Sequence, residues 1–206
     1  MAPGVSPGAT AVTQPARRRL VRMSVNDSAG VRIRLMRDDE AASVGRLVRQ
    51  AYAGDYELSE DYLAEIEAVA DRARDHEVWV AEDAASGALL GTVTTPRPGE
   101  RLSAVARDRD ELDFRFLGVA AAARGRGVGE QLVHHVTALA ADRGLRRVVL
   151  NTGPQMIAAQ RLYERLGFER LLEREFTFER PDGTSILIWA YGRDVDADAG
   201  RAAHAA

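Results

Sequence analysis

Polar and apolar positions first separate into a pattern at Ile33 and Leu35, which alternate with arginines in the manner of a short half-buried strand. The run Asp38-Asp39-Glu40 then supplies the negative first turn that a helix N-terminus favours. Val44, Leu47, Val48 and Ala51 follow at i, i+3, i+4 and i+7, which predicts a helix reaching to Gly54. Ser59, followed by Glu60 and Asp61, opens a second helix whose apolar stripe runs Tyr62, Leu63, Ile66, Val69 and Ala73. From Val78 the period shortens. Val78 to Ala81 and Leu89 to Thr95, rich in strand formers and separated by Ser86-Gly87, predict an antiparallel hairpin ending at Pro96. Phe114 to Val119 is a further strand. The stretch 96–110, with Pro96, Pro98 and several charges, is too long for a tight turn and is expected to be a mobile loop bordering a site.

Beyond Val119 the chain passes through Ala120 to Ala123 and the run Arg124-Gly125-Arg126-Gly127-Val128-Gly129 into a helix with apolar positions Val128, Leu132, Val136, Leu139 and Ala140. Arg146 to Leu150 is a short buried strand. Thr152 and Gln155 have the spacing of a capping box, with Pro154 near the first turn, and open a last helix carrying Ala159, Leu162, Tyr163 and Leu166, stopped by Gly167. Glu175 to Glu179 and Ile186 to Tyr191 flank the turn signal Pro181-Asp182-Gly183 and form a closing hairpin. The order β-α-α-β-β-β-α-β-α-β-β predicts an α+β fold: a single mixed, mostly antiparallel sheet flanked by helices. Residues 1–29, rich in Pro, Gly, Ser, Thr and Ala, and residues 195–206, rich in Ala and Asp, show no apolar period. They read as a disordered basic leader and a flexible tail around one domain, 30–194.

Composition removes several chemistries. All 28 basic residues are arginine and there is no cysteine. A Schiff-base lysine, a GxxxxGK[ST] phosphate loop, a thiol nucleophile and a Cys-ligated zinc are therefore excluded. The four histidines, His76, His134, His135 and His204, lack the spacing of a zinc signature, so no metal is expected. A net charge of −3 and a pI near 5.9 argue against a nucleic-acid partner, although Arg17, Arg18, Arg19 and Arg22 make the leader basic against Asp27 alone. No apolar run follows those arginines at the length of a secretion signal, and none has the length to cross a bilayer. The chain is expected to be cytoplasmic, without a membrane partner.

The glycine run carries the chemistry. A strand leading through closely spaced glycines into a helix brings unpaired backbone N–H groups and the positive end of a helix dipole to one point, which makes an anion cradle. Arg124 and Arg126 add charge-assisted donors. The alternative is a turn that only packs helix against strand. A dinucleotide fingerprint does not fit, because the third glycine is replaced by Glu130 in one register and Leu132 in the other. Asn151 stands where the acidic ribose ligand would be. Tyr163 lies in the apolar stripe of its helix, where core packing is the ordinary role.

Asp113-Phe-Arg-Phe-Leu-Gly-Val119, Arg124-Gly-Arg-Gly-Val-Gly129 and Ala159-Gln-Arg-Leu-Tyr-Glu-Arg-Leu-Gly-Phe168 together resemble the GCN5-related N-acetyltransferase (GNAT) family, and the element order from 31 to 193 fits it. The resemblance implies the acyl-CoA N-acyltransferase fold and transfer of an acetyl group from the co-substrate acetyl-CoA to a primary amine by direct attack. A non-catalytic acyl-CoA-binding or sensing domain is the alternative. It implies that Arg124, Gly127 and Gly129 grip the pyrophosphate, with the amides of Gly125, Arg126, Gly127, Val128 and Gly129 as donors. It also implies that the pantetheine arm pairs with a bulged strand at Leu117 and Val119, and that the Val119 amide supports the oxyanion. Tyr163 matches the tyrosine that protonates the leaving thiolate. Glu111 and Asp113 stand where the family often places its base. Many members carry an asparagine where this chain has Met156, and Asn151 is the substitute candidate for that contact. The acceptor is a small-molecule or peptide amine, and a homodimer is a candidate assembly. An acidic and aromatic rim of Tyr52, Asp55, Tyr56, Glu57, Glu60 and Asp61 would favour a cationic amine, whereas Thr94, Thr95 and Tyr191 are candidates to line the cleft.

Overall fold

A computed structural model describes residues 30–179 and 183–195. The leader, the tail beyond Val195 and the Pro181-Asp182 part of the predicted turn lie outside the described residues. Strand β1, Val31–Leu35, is followed by a single 3-10 turn and three helices: α1, Ala41–Ala53; α2, Glu60–Glu67; and α3, Val69–Asp75. The hairpin β2, His76–Asp83, and β3, Leu89–Pro96, comes next, then β4, Glu111–Asp113, and β5, Arg115–Val119. Helix α4, Val128–Asp142, strand β6, Arg147–Thr152, and helix α5, Ile157–Arg165, lead to β7, Glu169–Arg170, β8, Phe176–Glu179, and β9, Ser185–Asp194.

The strands form an antiparallel sheet in the order β1-β2-β3-β5 and a second sheet in the order β4-β6-β9-β7, with β8 added to β9. Among the described strands β4 and β6 make the one parallel pairing. The α+β class with mostly antiparallel strands is as predicted, but the sheet divides at Phe114, between β4 and β5. Period-two alternation on β2 feeds two cores. Trp79 and Ala81 pack with Val128, Leu132, Val133, Val136 and Ala140 of α4, whereas Val78 and Val80 pack with Val44, Val48, Leu63, Ile66 and Val69 of α1 to α3. Leu132 and Val133 are fully buried, and truncating such a leucine costs about 2–5 kcal/mol.

Two local predictions fail for physical reasons. The second helix breaks at Ala68, which has ψ 54°. The end of α2 presses on α1 so closely that a Cβ on Gly45 would lie 2.5 Å from the Glu67 carbonyl oxygen. Arg72 on α3 then donates to the carbonyls of Glu65 and Ile66, both at 2.9 Å, satisfying acceptors that the broken helix leaves open. The capping box at Thr152 and Gln155 does not form. Thr152 ends β6, α5 begins at Ile157, and Gln160 reaches back to the carbonyls of Gly153 and Pro154 at 2.9 and 3.1 Å.

The stretch 96–110 is tied to the sheet rather than looped free of it. Asp113 accepts from the Leu102 amide at 3.1 Å and the Ser103 hydroxyl at 2.8 Å. Glu111 accepts from the amides of Arg107 and Asp108 at 2.8 and 3.1 Å. Val105 and Ala106 are buried beneath.

Candidate active site

The division of the sheet opens a gap. β4 pairs with β6 at Glu111↔Arg147, Leu112↔Val148 and Asp113↔Val149, and there the pairing stops. β5 turns away to pair with β3, while Leu150, Asn151 and Thr152 of β6 pair only with β9 on their far side. The β3–β5 register shifts so that Thr92 meets Gly118 and Thr94 meets Arg115, one extra residue on β5, with Phe116 at φ +56°. A bulge of this kind bends and twists a strand. A bulky residue in the left-handed region costs about 1–3 kcal/mol, a cost kept where the surroundings over-determine it. Phe116 is only 6% exposed and packs with Val48, Ile66 and Val80, which holds it there.

The Ala120 amide donates to the Leu90 carbonyl at 2.9 Å. Successive residues in an antiparallel ladder turn their backbone groups to opposite edges. The N–H and C=O of Val119, and of Leu117 two residues earlier, therefore face the gap rather than β3.

At the end of β5 lies the glycine run. Gly125 and Gly127 adopt φ of +73° and +75°, and no atom lies within 4 Å of a Cβ built on either, so space remains above the loop. Gly127 is the N-cap of α4 without a side-chain cap. The amides of Gly125, Gly127, Val128, Gly129 and Glu130 find no acceptor among the described residues, whereas those of Arg124 and Arg126 turn back onto Ala121 and Ala123 at 3.3 and 3.4 Å. The Arg126 amide is thus turned away from the other amides of the run. The Arg124 guanidinium meets Asp55 at 2.7 Å and that of Arg126 meets Asp83 at 3.2 Å, both pairs partly exposed. A Cβ on Gly129 would touch Leu162 at 3.4 Å and Val119 at 3.6 Å, so this cradle abuts both β5 and the helix that carries Tyr163.

A narrow cleft of about 50 Å³ continues from there, lined by Tyr52, Tyr56, Phe114, Arg115, Phe116, Leu117, Asn151, Thr152, Met156, Ala159 and Tyr163. The Tyr163 ring is 5% exposed and packs against Phe114, Phe168 and Tyr191 with centroids about 6 Å away. Its hydroxyl makes no hydrogen bond among the described residues. Burial pushes the Tyr163 phenol far above its ordinary value of 10, so it stays protonated. Core packing and a free hydroxyl in the cleft thus coexist in one side chain. Asn151 also lines the cleft, its amide donating to the Trp189 carbonyl at 3.3 Å, and the Thr152 hydroxyl oxygen is buried without a partner.

The two carboxylates named from the sequence are elsewhere. Glu111 has a fully buried side chain and holds Arg174 at 2.8 Å as well as the two loop amides. Burial raises its pKa, but Arg174 and the amides outweigh that and leave it below the usual range. Asp113 is raised by burial against the Leu102 and Ser103 hydrogen bonds. Neither lines the cleft of Tyr163, because β4 precedes the division and its side chains serve the 97–110 loop. Glu111 instead borders a groove of about 570 Å³ with Arg97, Arg101, Arg109 and Arg143, larger than the cleft but without the tyrosine or the cradle. Thr94, Thr95 and Tyr191 are buried and outside the cleft lining. Thr95 accepts from the Trp79 indole at 2.9 Å, and the Tyr191 hydroxyl donates to Glu164 at 3.0 Å. Arg115 and Phe116 line the cleft but carry no mark of a site residue in the sequence. The only signal there was the resemblance, which places a bulge in this strand.

A divided sheet with a glycine cradle at the mouth of the split defines an acyl-CoA N-acyltransferase fold. The sequence model of the acetyltransferase (GNAT) family matches residues 42–168, and the chain belongs to that family. It is 37% identical over 112 residues to glucosamine 6-phosphate N-acetyltransferase 1 of Oryza sativa subsp. japonica, covering 53% of this chain and 62% of the rice protein. It is 36% identical over 107 residues to mycothiol acetyltransferase of Cellulomonas flavigena, covering 48% and 30%. The chain thus spans less than two thirds of the length of these curated relatives. Among solved structures, yncA of Salmonella typhimurium with acetyl-CoA superposes at a TM-score of 0.56 with 19% identity, over 81% of this chain and 95% of that one. The ribosomal-protein-S18-alanine N-acetyltransferase of Escherichia coli gives 0.56 with 16% identity over 81% and 94%. At these identities the likeness is one of fold.

Proposed function

We propose that the chain is an acetyl-CoA-dependent N-acetyltransferase that acts on a small amine by direct attack, and that residues 30–194 carry the activity. The observation that carries this reading is the open edge of β5 between the unpartnered amides of the cradle and the unbonded Tyr163 hydroxyl. The amides of Gly125, Gly127, Val128, Gly129 and Glu130 hold the pyrophosphate. Arg124 and Arg126 add charge. Their present pairs with Asp55 and Asp83 are surface ion pairs, worth about 0–1 kcal/mol, so a pyrophosphate displaces those carboxylates readily. Leu117 and Val119 present their backbone groups to the pantetheine arm as a neighbouring strand would, and the Val119 amide polarises the thioester carbonyl. Asn151 lies on the opposite wall.

The amine nitrogen attacks the thioester carbon, the C–S bond breaks, and Tyr163 gives its proton to the departing thiolate. Among the described residues the polar side chains in the cleft are Asn151, Thr152, Arg115 and the phenols Tyr52, Tyr56 and Tyr163, with no carboxylate or imidazole among them. The amine therefore enters uncharged and loses its surplus proton to water, from which the Tyr163 phenolate is reprotonated. Glu111 and Asp113 serve the fold. Among the described residues no His, Asp and Glu group is placed to hold a metal, and no helix is long and apolar enough to cross a membrane.

The test is thermal unfolding with and without acetyl-CoA, with NAD as control, followed by an assay of CoA release. Acetyl-CoA at 100 times its Kd adds about 2.7 kcal/mol, which raises Tm by about 5–10 °C in a chain of this size. A rise with acetyl-CoA alone, and CoA release on adding amines, is expected. No rise at millimolar acetyl-CoA refutes the reading, and a rise without turnover over a broad amine panel leaves the sensing domain instead. The same turnover in a chain lacking residues 1–29 is expected from the domain assignment.

A further inference from the structure

Among the described residues one cation lines the cleft. Arg115, the first residue of β5, has a side chain 33% exposed, and its guanidinium carbon lies 4.6 Å from the centroid of the Phe116 ring. The same ring carries the Arg72 guanidinium at 4.0 Å. Arg72 is committed to the carbonyls of Glu65 and Ile66, and its Nε has no partner. Burial, with the Arg115 charge beside it, pushes Arg72 down to about 10. Two guanidinium groups thus share one aromatic ring, and the carboxylate in reach of Arg115 is Glu65, at 3.7 Å and 55% exposed. That separation is beyond hydrogen-bond length and the screening is high, so the pair neutralises little.

The carboxylates expected to make the rim negative, Asp55, Glu57, Glu60 and Asp61, do not line the cleft. Glu60 is paired with Arg49 at 2.6 Å, Asp55, which a pyrophosphate releases from Arg124, lies outside the cleft lining, and among the described residues no Asp or Glu lines the cleft. A surface that would attract a polyamine is therefore reversed in sign where the cleft opens. We propose that Arg115 holds an anionic group of the acceptor, so that the substrate class is a small amine bearing a carboxylate or a phosphate. Cation–π contact with Phe116 and the restraint of the bulge orient the guanidinium before the substrate arrives, which lowers the cost of ordering it. Val119, whose amide is assigned to the thioester, is four residues on, at most about 13 Å along a strand and less across the bulge. The Arg115 side chain reaches along part of that span, so an amine that meets the thioester while its anion meets the guanidinium is a small molecule. This inference rests on the acetyltransferase reading.

CoA release is measured at saturating acetyl-CoA with glucosamine 6-phosphate, glutamate, unphosphorylated glucosamine and spermidine, for the native chain and for Arg115→Gln and Arg115→Lys. The anionic amines are expected to exceed glucosamine and spermidine in kcat/KM by about tenfold or more, the value of a charge-assisted contact. Arg115→Gln should shrink that preference at least about tenfold, mainly through KM, and Arg115→Lys should restore part of it. The two anionic arms separate phosphate from carboxylate. Turnover that favours spermidine or glucosamine, or a preference unchanged in Arg115→Gln with native-like Tm, overturns the assignment while leaving the acetyltransferase standing. Acetyl-CoA binding without turnover of any of the four also overturns it. Absence of an acetyl-CoA-induced rise in Tm marks failure of the underlying reading instead.

Discussion

Replacing Glu111 by Gln separates a structural carboxylate from a catalytic base. The native side chain is fully buried and one of its oxygens accepts from the Arg107 amide, the Asp108 amide and Arg174. The Arg174 side chain is 8% exposed, and its remaining contacts are the Val105 carbonyl at 3.0 Å and two looser carboxylates, Glu173 at 3.6 Å and Asp108 at 3.7 Å. Breaking a buried pair from one side costs about 3–5 kcal/mol, because the partner charge is left uncompensated. At about 2–4 °C per kcal/mol for a chain of this size, Tm should fall by about 6–20 °C. Glu111 is held below its ordinary 4.5, so its contribution is present above that pH and is lost as pH falls through the lowered value. The deficit of the variant relative to the native chain should therefore be full at pH 7 and shrink in acid. CoA release at 20 °C and pH 8, below both transitions, should stay within a few-fold of native. A general base is worth about 10²–10⁴ in rate. A loss of that size with unchanged Tm would refute the placement of Glu111 outside the chemistry.

Asp113→Asn should likewise retain turnover within a few-fold while Tm falls by a few degrees, because it weakens the contacts to Leu102 and Ser103 and removes no group from the cleft. Tyr163→Phe should lower kcat by about tenfold or more and leave acetyl-CoA affinity, read by calorimetry, within a few-fold; equal kcat would place the proton donor elsewhere. Gly127→Asp adds a left-handed strain of about 1–2 kcal/mol and a negative charge at the cradle, so acetyl-CoA affinity should fall by about tenfold or more, and unchanged affinity would displace the pyrophosphate from this loop. With no carboxylate or imidazole in the cleft, kcat/KM should rise with pH until the acceptor amine is neutral, and two acceptors of different amine pKa should show correspondingly shifted profiles. A common inflection near pH 6–7 for both would reveal a base in the protein.

How far the sequence reads depends on the range of the interactions. Helices α1 and α4 were legible because each buries one periodic face, as Val44, Val48 and Ala51 do on α1, and the hairpin of β2 and β3, buried on both faces, because its runs of strand formers flank Ser86-Gly87. The cradle was legible because Gly125 and Gly127 stand where the chain needs left-handed backbone between a strand and a helix. The break at Ala68 was not, since the apolar stripe runs through it from Ile66 to Val69. Its cause is the approach of Gly45 to Glu67, a contact between helices that periodicity along one segment does not encode. The capping box had the right residues at the right spacing, but Thr152 was drawn into the register of β6 with Trp189, an instance of tertiary pairing overriding local propensity.

The same distinction explains why Glu111 and Asp113 stand where the base was expected and yet hold their carboxylates against the 97–110 loop. Along a strand, side-chain direction is set by the parity of the position, and parity is preserved only while the strand is regular. The division at Phe114 and the extra residue at Phe116 interrupt it. Residues before the division point their polar groups at the 97–110 loop, whereas Arg115 and Leu117 after it line the cleft. No pattern of apolar and polar residues in Asp113-Phe-Arg-Phe-Leu-Gly-Val119 marks where the parity changes. What maintains it is packing from outside the strand: Val48, Ile66 and Val80 around a ring in a left-handed backbone, with Arg72 on that ring. The bulge that opens the cleft and the cation that lines it are thus consequences of one core, built by helices and by β2, all of which lie before the strand in the chain.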